Sequence, residues 1–136
     1  MPPTRLHSDL QRARAALLEA ELTSRSADRY LAAQHAALRT AAVILAARSH
    51  PAVGAHRSRP RNAWQLVAVV APEFGEWAAY FAATEGKRDA VRAGATAIVS
   101  TREADDLVRD VEQLLGLVER SLGRVVPESD ERREAR

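Results

Sequence analysis

Residues 100–123, STREADDLVRDVEQLLGLVERSLG, decide the fold class of this chain. Their apolar residues recur at intervals of three and four, which places them on one face of an α-helix. This stripe consists of Ala104, Leu107, Val108, Val111, Leu114, Leu115, Val118 and Leu122. Ser100 and Glu103 have the spacing of a capping box at the start, and Gly123 marks the end. The stretch therefore predicts a long amphipathic helix with one side turned to a core.

Two segments nearer the N-terminus show the same periodicity. The first covers 9–22 and the second covers 27–48. Ser8 and Gln11 have capping-box spacing and predict the start of the first helix. Pro51 ends the second, because proline disfavours a helical conformation in the residue before it. Both segments are amphipathic and predict packing against a shared core.

A third segment begins at Asn62 and passes through Pro72. Its apolar residues keep one helical spacing on both sides of the proline, namely Trp64, Val67, Ala71, Phe74, Ala78 and Phe81. This predicts a helix kinked at Pro72 or two helices that meet there. The segment then either frays near Gly86 or continues to about residue 93, with Gly94 as its stop. Four helices with mostly short links predict an all-α fold, an up-down antiparallel four-helix bundle.

The chain has 136 residues, the length of one domain. We expect the bundle to occupy 1–123, and the charged, aperiodic residues 124–136 to form a flexible C-terminal tail. The sequence contains no cysteine, which excludes disulfides and thiolate metal sites. It also lacks an apolar run near the about 20 residues of a membrane helix, and a secretory signal. These features predict a cytoplasmic protein without a membrane segment.

The net charge of +2 conceals an uneven distribution along the chain. Residues 1–72 carry +6 and residues 73–136 carry −4, with no acid between Asp28 and Glu73. Either basic and acidic helices face each other, or a basic surface binds a polyanion such as nucleic acid. The candidate phosphate-binding residues are Arg48, Arg57, Arg59 and Arg61. A solvated surface loop without a binding role is the alternative for the last three.

Most sequence motifs of catalysis are absent. There is no Gly-rich phosphate loop, no HExxH and no nucleophile elbow. His50 and His56 lack a carboxylate nearby in sequence, so we predict no metal site and no cofactor. Asp28, His35 and Arg39 share a stripe on the second helix. They could orient a general base or form a surface ladder of charges.

The segments 27–48 and 100–122 resemble the HEPN superfamily of small helical-bundle proteins. The middle segment, RPRNAWQLVAVVAPEFGEWAAYFAA at 59–83, resembles a branch seen in high-GC, actinobacterial genomes. The landmarks are Asp28-Arg29-Tyr30, Trp64, Pro72-Glu73, Glu76-Trp77 and the run from Arg102 to Asp106. The resemblance covers most of 8–123. It implies the bundle fold, a homodimer and a link to nucleic-acid or stress systems.

Many HEPN proteins are metal-independent ribonucleases or toxins, and their motif is an Arg followed after four to six residues by a His. Arg102 offers the start of that motif, but the expected His positions hold Leu107, Val108 and Arg109. Arginine stays protonated and cannot shuttle a proton. The pair with the required spacing is Arg29 and His35 on the second helix. Helical geometry sets these two side chains about 120° apart.

The missing His favours a non-catalytic HEPN-like module that binds a partner protein or nucleic acid, and it argues against an enzyme. One alternative is a divergent metal-independent ribonuclease of toxin type, with Arg29, His35 and Arg102 as catalytic residues. The other is a structural adaptor without a nucleic-acid role, which binds a partner helix in an apolar groove.

Overall fold

A computed structural model describes residues 3–48 and 62–123 of the chain. The described residues form six α-helices and no β-strand, which confirms the all-α class. The helices are α1 (Pro3–Leu22), α2 (Ser26–Ala47), α3 (Ala63–Val70), α4 (Gly75–Ala83), α5 (Glu85–Arg92) and α6 (Thr101–Gly123). Single 3-10 turns cover Pro72–Phe74 and Thr96–Ile98. The predicted loop at 49–61 and the predicted tail at 124–136 lie outside the described residues.

Three long helices, α1, α2 and α6, form the centre of the bundle. A three-residue link at 23–25 joins α1 to α2, so these helices are antiparallel. The helix α6 runs parallel to α2. The hydroxyls of Ser26 and Thr101, at the starts of the two helices, lie 3.0 Å apart, and Ile44 and Val118, near the ends of the two helices, line one pocket. The predicted α6 stripe is buried from Ala104 to Val118, and Leu122 packs against its end.

The third predicted segment splits at Pro72 and doubles back on itself. Trp64 of α3 stacks on Phe81 of α4 with ring centroids 5.1 Å apart, so α3 and α4 form an αα-hairpin. Ala71 has φ −139° and ψ 68°, outside the helical region, as the following proline favours. The single kinked helix is therefore wrong and the split is correct. All six residues of the predicted stripe are buried, because both arms turn them inward.

The helix α4 runs antiparallel to α2. Glu73, just before α4 begins, pairs with Arg48 at the end of α2. Thr84, just after α4 ends, accepts a hydrogen bond from Tyr30 near the start of α2. The up-down order is thus kept by α1, α2, α4 and α6, while α3 and α5 are additional short helices. Among the described helices, none combines the length and the apolar character needed to cross a bilayer.

The start of α1 differs from the prediction. The helix begins at Pro3 rather than at residue 9, because proline is well suited to the first helical turn. Ser8 and Gln11 therefore lie inside the helix, and the Gln11 side chain contacts the His7 ring at 3.2 Å instead of closing a capping box. A serine cap for α2 is also absent, since its N-cap residue is Arg25.

Other helix ends follow the sequence signals. Ser100 Oγ accepts from the Glu103 N–H at 3.0 Å, and the Glu103 carboxylate accepts from the Ser100 N–H at 3.2 Å, which confirms the capping box. Asn62 caps α3 by accepting from the Trp64 N–H at 2.7 Å. The segment after α4 continues as α5 and stops at Gly94, whose φ of 110° suits glycine.

Candidate functional site

Arg29, in the first turn of α2, connects the ends of two other helices. Its Nη1 donates to the carbonyls of Ala20, Glu21 and Thr23 at 3.3, 2.9 and 3.3 Å. These carbonyls belong to the C-terminal end of α1, where helix carbonyls lack partners within the helix. Arg29 Nε also lies 3.0 Å from Asp105 Oδ1 of α6, an ion pair without hydrogen-bond alignment. These contacts give Arg29 a structural role.

His35 lies on a different face of α2 from Arg29. It is exposed, as are Asp28 and Arg39 on the same stripe. Six positions along a helix rotate a side chain by about 600°, which leaves the two side chains about 120° apart. Within 3–48 and 62–123, no hydrogen bond or ion pair joins Asp28, His35 and Arg39, and Asp28 instead lies 3.9 Å from Arg25. The predicted general-base line is therefore not assembled.

Arg102 lies in the first turn of α6 and is exposed. The acidic residues that follow it make structural contacts: Glu103 pairs with Lys87, Asp105 with Arg29, and Asp106 with Arg109. Hydrogen bonds from Lys87 and from the Ser100 backbone lower the pKa of Glu103. Asp110 accepts a hydrogen bond from the Tyr80 hydroxyl. Glu103, Asp105 and Asp110 therefore hold α6 against α5, α2 and α4, whereas the pair of Asp106 and Arg109 lies within α6.

Arg48, one of the four predicted phosphate contacts, is partly exposed, and its guanidinium contacts neighbouring groups of the same chain. It donates to the carbonyl of Val70 at 3.3 Å and pairs with Glu73, so it fixes the end of α2 to the α3–α4 turn. The hydrogen bond from Arg48 lowers the pKa of Glu73. The other three predicted contacts, Arg57, Arg59 and Arg61, lie outside the described residues.

The charge of the described bundle is close to zero. Residues 3–48 and 62–123 contain 13 Lys and Arg against 14 Asp and Glu, a net charge of −1. The segment 49–61 contains three Arg and no acid. The positive charge of the N-terminal half is therefore shared equally between residues 3–48, which carry +3, and the segment 49–61, which carries +3, while residues 62–123 carry −4. In the described part of the chain, no group of three His, Asp or Glu side chains could hold a metal ion.

A polar network fixes the junction of α4 and α5 to α2. The Tyr30 hydroxyl donates to the Thr84 carbonyl at 3.3 Å, and Gln34 Nε2 donates to the Thr84 hydroxyl. Tyr30 and Gln34 are both buried, and burial raises the pKa of Tyr30. Gln34 Oε1 and Trp64 Nε1 have no hydrogen-bond partner among the described residues. This network is enclosed and positions helices rather than presenting a reactive group to solvent.

An open groove of about 520 Å³ crosses the outer side of α6, and we call it the Gly116 groove. It is lined by Arg14, Trp77, Glu112, Gln113, Gly116, Leu117 and Arg120. Trp77 and Leu117 are half-buried and supply its apolar wall, while charged residues form its rim. Trp77 also lines a neighbouring depression with Glu76, Tyr80 and Asp110. The inner side of Trp77 packs against the core, where the indole stacks on Phe81 with ring centroids 6.1 Å apart.

The fold and these contacts can be compared with known proteins. The family model for SAV_6107-like HEPN domains matches residues 20–119. The chain belongs to the HEPN superfamily. Searches of curated proteins and of solved structures each returned no significant match. The match spans α2 through most of α6, so it includes every described residue that we considered as a catalytic candidate.

The HEPN-type spacing considered in the sequence analysis would place a His five to seven positions after Arg102, and α6 has no His at these positions. After Arg102, the expected His positions include Leu107 and Val108, and both are buried in the core. The next position is Arg109, whose guanidinium lies 3.3 Å from Asp106. The other candidate pair is separated on α2, with Arg29 turned to α1 and α6. Within residues 3–48 and 62–123 of one chain, no hydrogen bond or ion pair joins Arg29, His35 and Arg102 to one another.

Two features of the site lay beyond what the sequence indicated. The structural use of Arg29 depends on α1 ending beside α2 and on α6 running parallel to α2, and neither was specified by the pattern. The Gly116 groove depends on the approach of α1 and α4 to opposite sides of α6. Its one sequence signal is a glycine in the middle of a strongly helical stretch.

Proposed function

We propose that this protein is a non-catalytic HEPN module that forms a homodimer and binds a partner protein. The observation that carries the proposal is the use of Arg29 as a link between α1, α2 and α6, while His35 lies exposed on another face. A general base must lie within hydrogen-bond reach of its reacting group, together with the residue that assists it. The family to which the chain belongs is consistent with a dimer.

A partner protein is favoured over nucleic acid by the charge of the described helices. Proteins that bind nucleic acid usually present a basic surface, whereas the described bundle has a net charge of −1. The one predicted phosphate contact inside that region, Arg48, is paired with Glu73. The Gly116 groove has an apolar wall with charged residues at its rim, as protein–protein interfaces do, so it suits contact with a protein surface, that of a second copy included, rather than with a polyanion.

Nucleic-acid binding is the second candidate, and the segment 49–61 supports it with Arg57, Arg59 and Arg61 and no acid. It is tested by fluorescence anisotropy with short single-stranded RNA and DNA at low and moderate salt. We expect no salt-sensitive binding if the module acts on proteins. Binding that the triple change to Ala at these arginines weakens, with a salt slope smaller in magnitude by about 2, would favour nucleic acid. Replacement of Arg5, Arg12 and Arg39 by Ala is the matched control.

A further inference from the structure

We propose that the Gly116 groove is the surface on which a second copy of this chain docks, with the two α6 helices crossing antiparallel at Gly116. This inference rests on the homodimer proposed above and assigns its interface. It is argued from the position of one glycine, from the order of charges around it and from the apolar wall beside it.

The fold of one chain does not require glycine at position 116. Gly116 lies in the middle of α6, where glycine weakens a helix relative to alanine. Its φ is not in the left-handed region, and an added Cβ would meet only Arg120 Nη1, at 3.5 Å, an ordinary contact distance. By contrast, Gly75 and Gly86 lie at the first and second positions of α4 and α5. The guanidinium of Arg120 lies over the position of the missing side chain, and because Arg120 is an exposed, flexible side chain it can turn away and free the outer face of α6 for a close contact.

That space allows another helix to approach closely. The distance between packed helix axes depends on the size of the side chains at their crossing point. Gly116 is flanked by Arg14 on the side of α1 and by Trp77 on the side of α4, and both line the groove. A helix that crosses here contacts the backbone of α6 at its centre and the indole of Trp77 and the side chain of Leu117 at its edge.

The charged residues on either side of Gly116 can pair with the same residues of a second copy of the chain. Glu112 lies four residues before Gly116 and Arg120 lies four residues after it, each about 6 Å along the helix axis. All three belong to one i±4 ridge, the commonest element of helix packing. In an antiparallel crossing with two-fold symmetry, Arg120 of each copy meets Glu112 of the other copy, so the contact forms twice. A parallel crossing would bring like charges together.

The wider charge of α6 also favours the antiparallel arrangement. The helix contains six acidic residues, and five of them precede Gly116, namely Glu103, Asp105, Asp106, Asp110 and Glu112. An antiparallel crossing places the acidic half of one α6 beside the C-terminal half of the other. A helix from an unrelated partner would have no reason to match a charge order that is symmetric about Gly116, and for this reason we assign the groove to a second copy.

The test is sedimentation velocity over a wide range of protein concentration with four groove variants. These are Arg120→Glu, Glu112→Arg, the double variant with both changes, and Gly116→Gln. We expect a dimer for the unaltered chain, and a dimer Kd raised about tenfold or more by each charge reversal, since each one creates two like-charge contacts. The double variant restores the opposite charges and should return Kd to within about threefold of the original.

Gly116→Gln is expected to raise the dimer Kd. The urea midpoint of unfolding, measured at a protein concentration well below the dimer Kd so that both proteins are monomers, should stay equal or increase, because Gln is a better helix former than Gly. Arg39→Glu on α2 makes the same change of charge on an exposed helix face and should leave the dimer intact. A dimer that none of the groove variants weakens would overturn this assignment and leave the homodimer standing. A chain that remains monomeric at every concentration would overturn both the assignment and the homodimer, while the binding of another protein would stay a separate question.

Discussion

Arg29 of α2 and Asp105 of α6 form an ion pair, with 3.0 Å between Nε and Oδ1, at the end of the bundle where α1 finishes. The same guanidinium donates to three backbone carbonyls of the last turn of α1 and the link after it. Arg29 belongs to the one Arg–His pair with the spacing of the HEPN motif, yet its contacts are with structural groups. These contacts support the structural role that we propose for Arg29.

Replacement of Arg29 by Ala should therefore reduce stability. The variant removes the Arg29 donor from the carbonyls of Glu21 and Thr23 and one of two donors from the carbonyl of Ala20, and it leaves Asp105 without its cation. A hydrogen bond that involves a charged group contributes about 1.5–3 kcal/mol, and partial exposure of Arg29 places the expected loss at about 1–3 kcal/mol. Urea unfolding followed by circular dichroism measures it.

Arg25→Ala is the matched control for this change. Arg25 is highly exposed, and its one ion pair, to Asp28, spans 3.9 Å. We expect its removal to change the free energy of unfolding by no more than about 0.5 kcal/mol. Equal effects of Arg25→Ala and Arg29→Ala would contradict the structural role that we give to Arg29.

Acid should weaken the capping box and ion pair of Glu103. The Lys87 hydrogen bond and the Ser100 N–H lower the pKa of Glu103 below its ordinary 4.5 in the folded chain. A group with a lowered folded pKa stabilises the fold above its unfolded pKa, and this contribution is lost as the pH falls through the folded pKa. Glu103→Gln should therefore lower Tm near neutral pH, and the difference from the unaltered chain should shrink as the pH falls below 4.5.

Thermal melts at a series of pH values check this behaviour, with Glu76→Gln as the control. Glu76 is exposed, and it has no ion pair among the described residues. A Tm difference for Glu103→Gln that stays constant from neutral to acidic pH would show that the carboxylate charge is not the source of the stabilisation.

Two glycines of the α5 region should respond oppositely to alanine. Gly94 ends α5 with a φ of 110°, a conformation that side chains disfavour, so Gly94→Ala should cost about 1–2 kcal/mol. Gly86 lies inside α5 with no atom near an added Cβ, so Gly86→Ala should stabilise the fold by about 0.5–1 kcal/mol. The midpoints of urea unfolding of Gly94→Ala and Gly86→Ala, compared with that of the unaltered chain, test these two expectations. The same sign for both would contradict the assigned helix end.

The sequence predicted the fold class well, because helical periodicity and end signals are local. The stripe of α6, its capping box and the stop at Gly94 are all present. The start of α1 was misplaced, since the pattern at Ser8 and Gln11 resembles a cap that a longer helix does not need. A local pattern cannot distinguish a helix that starts at residue 9 from one that starts at Pro3, because the apolar periodicity is the same in the two helices.

The direction of the chain after Pro72 was harder to predict. A stripe that stays in register across a proline fits both a kinked helix and a hairpin, because in either form the same residues face inward. What decides between them is the stacking of Trp64 on Phe81, a contact between residues far apart in sequence. The Gly116 groove was missed for the same reason, since its walls come from α1, α4 and α6.

The most direct test of the central claim, that this HEPN domain is not a ribonuclease, is a cleavage assay on end-labelled single-stranded RNA. The purified protein is compared with Arg29→Lys and His35→Ala at concentrations above the measured dimer Kd and without added metal. The account predicts no cleavage above buffer for any of the three proteins. Cleavage by the unaltered chain that His35→Ala abolishes would contradict it.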